Sequence, residues 1–415
     1  MTTLAATALA AGSSTHVAAD QLSTARARMP RFRIRTLTAG VRLDGPGDTG
    51  PVESALAFLK RAKQRVIDAG YEVQTIRVAM NPQLLDASAR VREAALPQLA
   101  TIDRMVAEAS AVASIGPVFS RGTLEGELSA WGSELIRSTK SISFSVAVAT
   151  PGGGVNTQAA RAAAEIIVAL SRALPGGVGN FRFAAAANIP AGTPFFPVAW
   201  HDGDPTLAVG LETANIVHDA FSGTHDANEA SERLRHALNE ALAPVEKLAQ
   251  SLAHDGKRQY LGIDSSPAPG ADSSIGGAIE ALTGVPFGSA ATLQACAAIT
   301  GAIKTLHVQT CGYSGLMLPI LEDPVLAQRA SEGRIRVSEL LLFSSVCGTG
   351  LDVVPLAGDA SADSLGRLIG DVATLAHRLR KPLSARLFPV PGKTAGETAT
   401  FNDPLLFACK TLPLD

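Results

Sequence analysis

The sequence predicts an α/β protein built around a large, mainly parallel, buried sheet. Apolar β-branched runs alternate with amphipathic helical stretches along the 415 residues. We count about ten such strands, with no Ser/Pro/Gly-rich linker in mid-chain that would divide them. One large α/β barrel and two doubly wound halves are therefore equally compatible with this pattern.

Strands and helices follow one another in order. Residues 33–41 alternate in polarity and predict the first strand. Pro51 opens a helix with apolar residues on one face, and Gly70 ends it before a strand at 71–78. Further strands are predicted at 111–119, 141–148, 181–189, 207–211, 259–264, 339–346 and 383–388. Further helices are predicted from about 86 (interrupted near Pro97) and at 124–137, 157–174, 227–253, 275–306 and 364–379.

Composition excludes several classes of function. Apolar residues make up 46%, charged residues 18% and aromatic residues 5%, with a net charge of −2. This balance gives no basis for nucleic-acid binding, and no apolar run is long enough to span a membrane. The four cysteines form no CxxC pair, which fits a reducing cytoplasm. We therefore expect a cytoplasmic protein with a small-molecule substrate.

The chain divides into two parts of unequal character. Residues 1–30 are rich in Ala, Ser and Thr and lack the basic start of a secretory signal, so we expect a flexible N-terminal extension. This extension leaves targeting open. Residues 31–415 are expected to form the α/β barrel domain.

Polar residues follow several predicted strands. Ligands of parallel α/β sheets bind at the carboxyl ends of the strands, so these residues are expected to share one mouth. His201 and Asp202 form the best acid/base or metal-ligand pair. Asp264, Glu322 and Asp352 could hold a divalent cation such as Mg, Mn or Ca. Helix capping is the alternative explanation for about half of the acids.

Two stretches, 307–323 and 343–352, run from apolar residues into Cys-Gly. Cys311 and Cys347 could be nucleophiles, although a buried cysteine is more often a small hydrophobe. Tyr313 is a candidate proton donor. Candidate substrate-binding residues are Asn156 after the Gly152–Gly154 loop, Ser314, Arg386 and Lys393. Lys393 belongs to no phosphate loop, because Leu387 stands where that motif needs glycine, and we find no nucleotide motif.

Several longer motifs resemble a known family. They are Phe196-Pro-Val-Ala-Trp-His-Asp-Gly203, Gly262-Ile-Asp-Ser-Ser-Pro-Ala-Pro269, Ser274-Ile-Gly276, Cys311-Gly-Tyr-Ser-Gly-Leu-Met-Leu-Pro319, Leu321-Glu-Asp323, Cys347-Gly-Thr-Gly-Leu-Asp352 and Arg386-Leu-Phe-Pro-Val-Pro-Gly-Lys-Thr-Ala-Gly396. Over residues 32–410 the chain resembles the family numbered seven-eleven among the domains of unknown function. That family looks like a relative of the pyruvate formate-lyase-like barrels, which implies a single ten-stranded α/β barrel with its site inside the mouth.

Three departures limit what the resemblance implies. The chain has no C-terminal Arg-Val-x-Gly-aromatic motif, so a glycyl radical enzyme is not expected. Asp202 stands where relatives are expected to have Glu, which shortens the reach of that carboxylate. The N-terminal extension is also unusual.

Three functions remain open. The leading hypothesis is a metal- or acid/base-assisted lyase or hydrolase that acts on a small carboxylate- or amide-bearing metabolite. The first alternative is thiol-based catalysis by Cys311 or Cys347. The second is a non-catalytic, oligomeric metabolite-binding protein, and a homo-oligomer is expected in each case.

Overall fold

A computed structural model describes residues 32–121, 127–270 and 272–414. The predicted extension at 1–30 lies outside the described residues. Within the described part of the chain, no helix combines the length and hydropathy that a membrane span needs. The architecture is a mixed α/β fold around one large sheet.

The sheet contains ten strands. These are β1 (Arg33–Val41), β2 (Val73–Met80), β3 (Ala111–Pro117), β4 (Ile142–Thr150), β5 (Gly154–Val155), β6 (Phe183–Ala187), β7 (Thr206–Glu212), β8 (Gln259–Asp264), β9 (Gly350–Ala357) and β10 (Leu383–Val390). The spatial order is β8-β7-β1-β2-β3-β4-β6-β10-β9, with β5 paired to β4. A separate two-stranded sheet joins β11 (Thr398–Ala399) to β12 (Cys409–Lys410).

Eleven α-helices and one 3-10 helix occupy the described residues. The α-helices are α1 (Gly50–Asp68), α2 (Ala89–Glu108), α3 (Leu128–Ser138), α4 (Thr157–Ala173), α5 (Ala214–Phe221), α6 (Ala227–Asp255), α7 (Ile275–Thr283), α8 (Thr292–Lys304), α9 (Pro324–Ser331), α10 (Val337–Phe343) and α11 (Ala362–Leu379). The 3-10 helix spans Pro175–Arg182. Pro97 lies inside α2, so the predicted interruption there is absent.

Strand direction divides the sheet into three groups. Strands β1, β2, β3, β4 and β6 are parallel neighbours. Strand β7 is antiparallel to β1, and β8 is parallel to β7. At the other side, β10 is antiparallel to β6, and β9 is parallel to β10. The carboxyl ends of the strands therefore point to two opposite ends of the sheet.

Alternating side chains give the sheet two different faces. On β6, Phe183, Ala185 and Ala187 belong to the large core that contains the helices. Ala184 and Ala186 belong instead to a small cluster with Phe195, Tyr313 and other loop residues. Because successive side chains of a strand point to opposite faces, helices cover one face and loops cover the other. We call the second the loop face.

The ten-stranded count is correct, but the predicted barrel is not closed. The hydrogen-bonded ladder ends at β8 on one side and at β9 on the other. The segment 307–323 runs between these edges. Thr310 forms a parallel bridge with Ile263 of β8, and Pro319 forms one with Asp352 of β9. The segment thus protects both sheet edges without forming a continuous strand.

One predicted strand is wrong. Residues 339–346 fall in α10 and the turn after it, and the strand is β9, which begins at Gly350. A short apolar run such as Leu340-Leu-Leu-Phe343 has no periodicity that separates a strand from a buried helix. Asp352 consequently lies within a strand and not in a loop after one.

The segment 307–323 crosses the chain closely at Gly315 and Gly348, and a substitution there tests its position. A Cβ at residue 315 would lie 2.5 Å from Cα of Gly348. Gly315→Ala should therefore lower the free energy of unfolding by about 1–3 kcal/mol, as overpacked sites do. Urea denaturation measures this loss.

Gly370→Ala in α11 is the matched control. A Cβ there meets no atom within 4 Å, and alanine favours the helix by about 1 kcal/mol. Equal stability of the two variants would contradict the close crossing of Gly315 and Gly348.

Candidate functional site

A cavity of about 450 Å³ opens on the loop face, at the amino-terminal halves of the five parallel strands. Its lining residues are Arg35, Gln74, Thr75, Arg77, Val112, Lys140, Ser141, Ser143, Phe181, Arg182, Ala184, Phe195, Phe196, Pro197, Val198, Tyr313, Met317, Glu322, Thr349, Asp352, Ser384, Arg386, Pro404 and Leu405. This position differs from the predicted mouth, because the rule of carboxyl ends assumes that all strands are parallel.

A buried carboxylate joins three parts of the chain beside the cavity. Glu322 accepts hydrogen bonds at 2.8 Å from both Arg35 of β1 and Arg386 of β10. Arg386 also donates to Asp352 of β9 at 2.7 Å. Buried charges need partners of this quality, because each ion loses its hydration.

The two acids of this network differ in proton affinity. Burial alone would raise the pKa of Glu322, but the charges of Arg386 and Arg35 and their hydrogen bonds hold it below its ordinary value. Burial raises the pKa of Asp352, the charge of Arg386 and its single hydrogen bond oppose the rise, and the charge of Glu322 adds to it. Glu322 is therefore the fixed anion, and Asp352 is the acid that more readily takes a proton.

Irregular pairing places two of these charges. The register of β1 against β7 shifts between Ile34 and Thr36, so Arg35 lies at the shift. The register of β9 against β10 also shifts at Asp352, and the next residue, Val353, has a φ of 42°. A β-branched residue seldom adopts this left-handed conformation. Both irregularities lie beside the cavity, where bulges commonly redirect side chains.

Arg77 is a buried cation without a carboxylate partner. Its Nε donates to Thr75 Oγ1 at 3.0 Å, and its guanidinium lies 5.1 Å from the ring centre of Phe196. No acid of the described residues pairs with it. Burial, and next the charge of Arg35, lower its pKa to about 9, so it stays protonated at neutral pH. A free edge of a charged guanidinium therefore faces the cavity.

Tyr313 belongs to the cavity wall. Its hydroxyl donates to Ser384 Oγ at 2.8 Å, and Ser384 Oγ donates to the carbonyl oxygen of Thr349 at 3.1 Å. Burial raises the pKa of Tyr313 far above neutral. The phenol thus keeps its proton and is held in one orientation.

Asp264 holds the loop that carries Tyr313. Its carboxylate accepts from the backbone nitrogens of Tyr313 at 2.8 Å and Ser314 at 3.0 Å, and from Ser266 Oγ at 2.6 Å. Burial raises the pKa of Asp264, and these hydrogen bonds oppose the rise. Asp264 and Ser314 do not line the cavity.

The cysteines lie outside the cavity wall. Burial, and next the charge of Asp264, raise the pKa of Cys311 well above its ordinary value, so the thiol keeps its proton. Cys347 is buried, and its Sγ accepts from the backbone nitrogen of Gly350 at 3.4 Å. The environment of Cys311 therefore does not resemble that of an activated thiolate.

His201 and Asp202 lie at the opposite end of the sheet. The backbone nitrogen of His201 donates to the carbonyl of Met80, and its ring lies 3.1 Å from the carbonyl oxygen of Gly203. Burial lowers the pKa of His201. Asp202 is exposed and pairs with Arg42 at 3.8 Å. The predicted pair is therefore not brought to the cavity.

Two further predicted residues do not line the cavity. Asn156 caps α4 by accepting from the backbone nitrogens of Gln158 and Ala159. The carbonyl oxygen of Lys393 accepts from the nitrogen of Gly358, and its side chain does not line the cavity. Four predicted residues, Tyr313, Glu322, Asp352 and Arg386, do meet there.

The predicted divalent-cation ligands are not assembled together. No group of three or more His, Cys, Asp or Glu in the described ranges could hold a metal ion. Glu322 and Asp352 direct oxygens to arginines, whereas Asp264 accepts from the backbone nitrogens of Tyr313 and Ser314. This donor set does not fit Mg, Mn or Ca, so we assign no step to a metal.

Arg35 and Arg77 were missed from the sequence, although a signal existed. Each is an arginine inside a strand whose neighbouring residues are apolar or β-branched. In a sheet covered on both faces, such a charge must have a buried partner or face a cavity.

Comparison with known proteins identifies the family. The sequence profile described as "Uncharacterised ACR (DUF711)" matches residues 27–402. The chain belongs to this family.

Three relatives each match more than four fifths of this chain. A "UPF0210 protein" of Desulforudis audaxviator is 27% identical over 399 residues, which cover 89% of this chain and 88% of the relative. One from Pyrobaculum arsenaticum is 31% identical over 364 residues, with coverages of 82% and 78%. One from Methanosarcina acetivorans is 25% identical over 415 residues, with coverages of 93% and 89%. The predicted family is confirmed, and the relation to pyruvate formate-lyase-like barrels stays a prediction.

Arg386→Gln tests the buried network. The change leaves two carboxylates without their shared cation, so the free energy of unfolding at neutral pH should fall by about 3–5 kcal/mol. Without Arg386, the folded-state pKa of Asp352, which is already above its ordinary value, should rise further, and that of Glu322 should rise as well, because the charge and hydrogen bonds of Arg386 lower both. The folded variant then binds more protons than the unfolded chain, so its stability falls as pH rises.

Urea denaturation at pH 5 and pH 7 should show the larger defect at pH 7. Arg378→Gln, an exposed change on α11, is the control. A defect of equal size at both pH values would show that Arg386 does not neutralise these acids.

Proposed function

We propose that the protein is an enzyme that binds a small organic anion in the loop-face cavity and acts on it by acid/base chemistry, as a lyase or hydrolase. The observation that carries this proposal is the uneven charge of the cavity wall. Arg35, Arg77, Lys140, Arg182 and Arg386 face it, against the acids Glu322 and Asp352. A carboxylate-bearing substrate would complete the wall.

Arg77 is the proposed anchor for the substrate carboxylate. Arg35 and Arg386 already bind acids, whereas the terminal nitrogens of Arg77 meet no acceptor among the described residues. A planar guanidinium matches a carboxylate through two parallel hydrogen bonds. Binding would also offset the cost of keeping this charge buried.

Asp352 is the proposed acid/base group. It neighbours Glu322, and their environments move the two pKa values in opposite directions. Such a pair commonly divides into a fixed anion and a proton carrier. Glu322 would hold the arginines, and Asp352 would exchange a proton with the substrate. Tyr313, whose proton is directed to Ser384, would orient the ligand.

Arg77→Gln tests the anchor. In the wild type, small monocarboxylates should raise the melting temperature, because a ligand that binds only the folded state stabilises it. Loss of a charged hydrogen-bonded partner should weaken binding about 10- to 100-fold. Thermal shift and calorimetry measure both effects.

Arg367→Gln on α11 is the control, since this exposed arginine lies far from the cavity wall. If Arg77→Gln binds monocarboxylates as tightly as the wild type, Arg77 is not the carboxylate anchor.

Asp352→Asn separates chemistry from binding. Asparagine preserves the shape but cannot carry the proton, so turnover should fall about 10²- to 10⁴-fold while ligand binding persists. Ligands are first selected by thermal shift, and NMR then measures whether the protein consumes them.

Asp371→Asn, an exposed change on α11, is the control. Wild-type turnover by Asp352→Asn would refute the acid/base role. If the wild type binds ligands but consumes none of them, the protein is instead a non-catalytic metabolite-binding protein.

A further inference from the structure

The cavity wall carries more positive than negative charge. Its cations are Arg35, Arg77, Lys140, Arg182 and Arg386, and its acids are Glu322 and Asp352. Arg35 and Arg386 form ion pairs with these two acids. The other three cations have no carboxylate partner within the described residues, and Arg35 Nε also lacks an acceptor. The wall is therefore short of negative charge by more than one unit.

Arg182 is the one of these three cations whose donors are already used. Its guanidinium donates to Thr139 Oγ1 at 3.0 Å, to the carbonyl oxygen of Ile142 at 3.3 Å and to that of Ile136. Burial lowers the pKa of Arg182, and the charge of Asp103 opposes this decrease. The accepting oxygens belong to the end of α3 and the start of β4, so Arg182 serves the fold and needs no ligand.

Arg77 and Lys140 keep unused donors. Arg77 uses only the Nε of its guanidinium, which donates to Thr75. Lys140 donates to Asp103 through its backbone nitrogen, and its ammonium makes no hydrogen bond or ion pair with another described residue. Arg77 is buried, whereas Lys140 is exposed. The cavity thus offers one free cation in its depth and a second at its rim.

The sheet sets the distance between these two cations. Arg77 lies on β2 opposite Val112 of β3, and Lys140 lies two residues before β4, the next neighbour of β3. Neighbouring strands are about 4.8 Å apart, so about 10 Å separate the backbones of β2 and β4. Both long side chains line the cavity, and so does Val112. An apolar side chain therefore lies on the strand between the two charges.

From this arrangement we infer that the substrate is a dicarboxylate, with one carboxylate on Arg77, the second on Lys140 and the carbon chain against Val112. Lys140 is then a specificity-determining residue, because it selects the second charge. A phosphate group matches this spacing less well, since both of its charges lie at one point. The inference rests on the proposed function, because it assumes that the loop-face cavity binds an organic anion.

Three series of probes test the inference on the full-length protein. They are the straight-chain dicarboxylates from butanedioate to octanedioate, the monocarboxylates of the same chain lengths, and inorganic phosphate with the alkyl phosphates. Calorimetry at neutral pH should show that the best dicarboxylate binds about fivefold more tightly than the monocarboxylate of its length, as one added exposed ion pair allows. The phosphates should bind more weakly than that dicarboxylate.

Lys140→Gln removes the second cation and keeps a polar side chain at the rim. It should lower the affinity for the best dicarboxylate to that of the monocarboxylate of the same length, and leave the affinity for the monocarboxylate unchanged. Lys60→Gln on α1 is the control, because it changes the net charge equally at an exposed position outside the cavity wall. It should alter neither affinity. If Lys140→Gln weakens both probes equally, or weakens neither, the inference is overturned.

The outcomes also separate the two proposals. If monocarboxylates or phosphates bind the wild type as tightly as the dicarboxylates, the inference is overturned and the proposed function stands. Absence of binding by every probe overturns both.

Discussion

The double arginine bond to Glu322 is the constraint on which the cavity depends. Arg35 comes from β1, which is at one end of the parallel group, and Arg386 comes from β10, which flanks the other end; Glu322 comes from the segment between β8 and β9. A buried ion pair gives little net stability, but loss of one member leaves an uncompensated charge. The network therefore fixes the relative position of three distant parts of the chain more than it strengthens any of them.

The segment 307–323 gives this constraint its geometry. Asp264 fixes its first half through the nitrogens of Tyr313 and Ser314, and Glu322 fixes its second half through two arginines. Since the segment also bridges the two open edges of the sheet, its cavity residues are positioned by rigid elements on both sides. Of this segment, Tyr313, Met317 and Glu322 line the cavity.

Most strands could be predicted from the sequence, because a strand such as β1 or β2 is marked by alternating polarity and β-branched residues within its own few positions. The helix α10 was misread because its apolar run has no diagnostic period. Strand direction is set by long-range pairing, so the sequence could not show that His201 and Asp264 lie at opposite ends. Gly40 pairs with Thr206 near His201, whereas Thr36 pairs with Gly210, the partner of Asp264.

The site lies where local rules fail, and this coincidence is itself an argument for function. Arg35 and Asp352 are placed by register shifts, and Val353 adopts a conformation that costs about 1–3 kcal/mol. Folding alone favours regular pairing and apolar side chains at these positions. The irregular pairing instead places Arg35 and Arg386 against the buried acids Glu322 and Asp352. Arg77 is left without a carboxylate partner among the described residues. Lys140 and Arg182 of the same wall also lack a carboxylate partner among the described residues, so the cavity keeps a surplus of positive charge that favours anions.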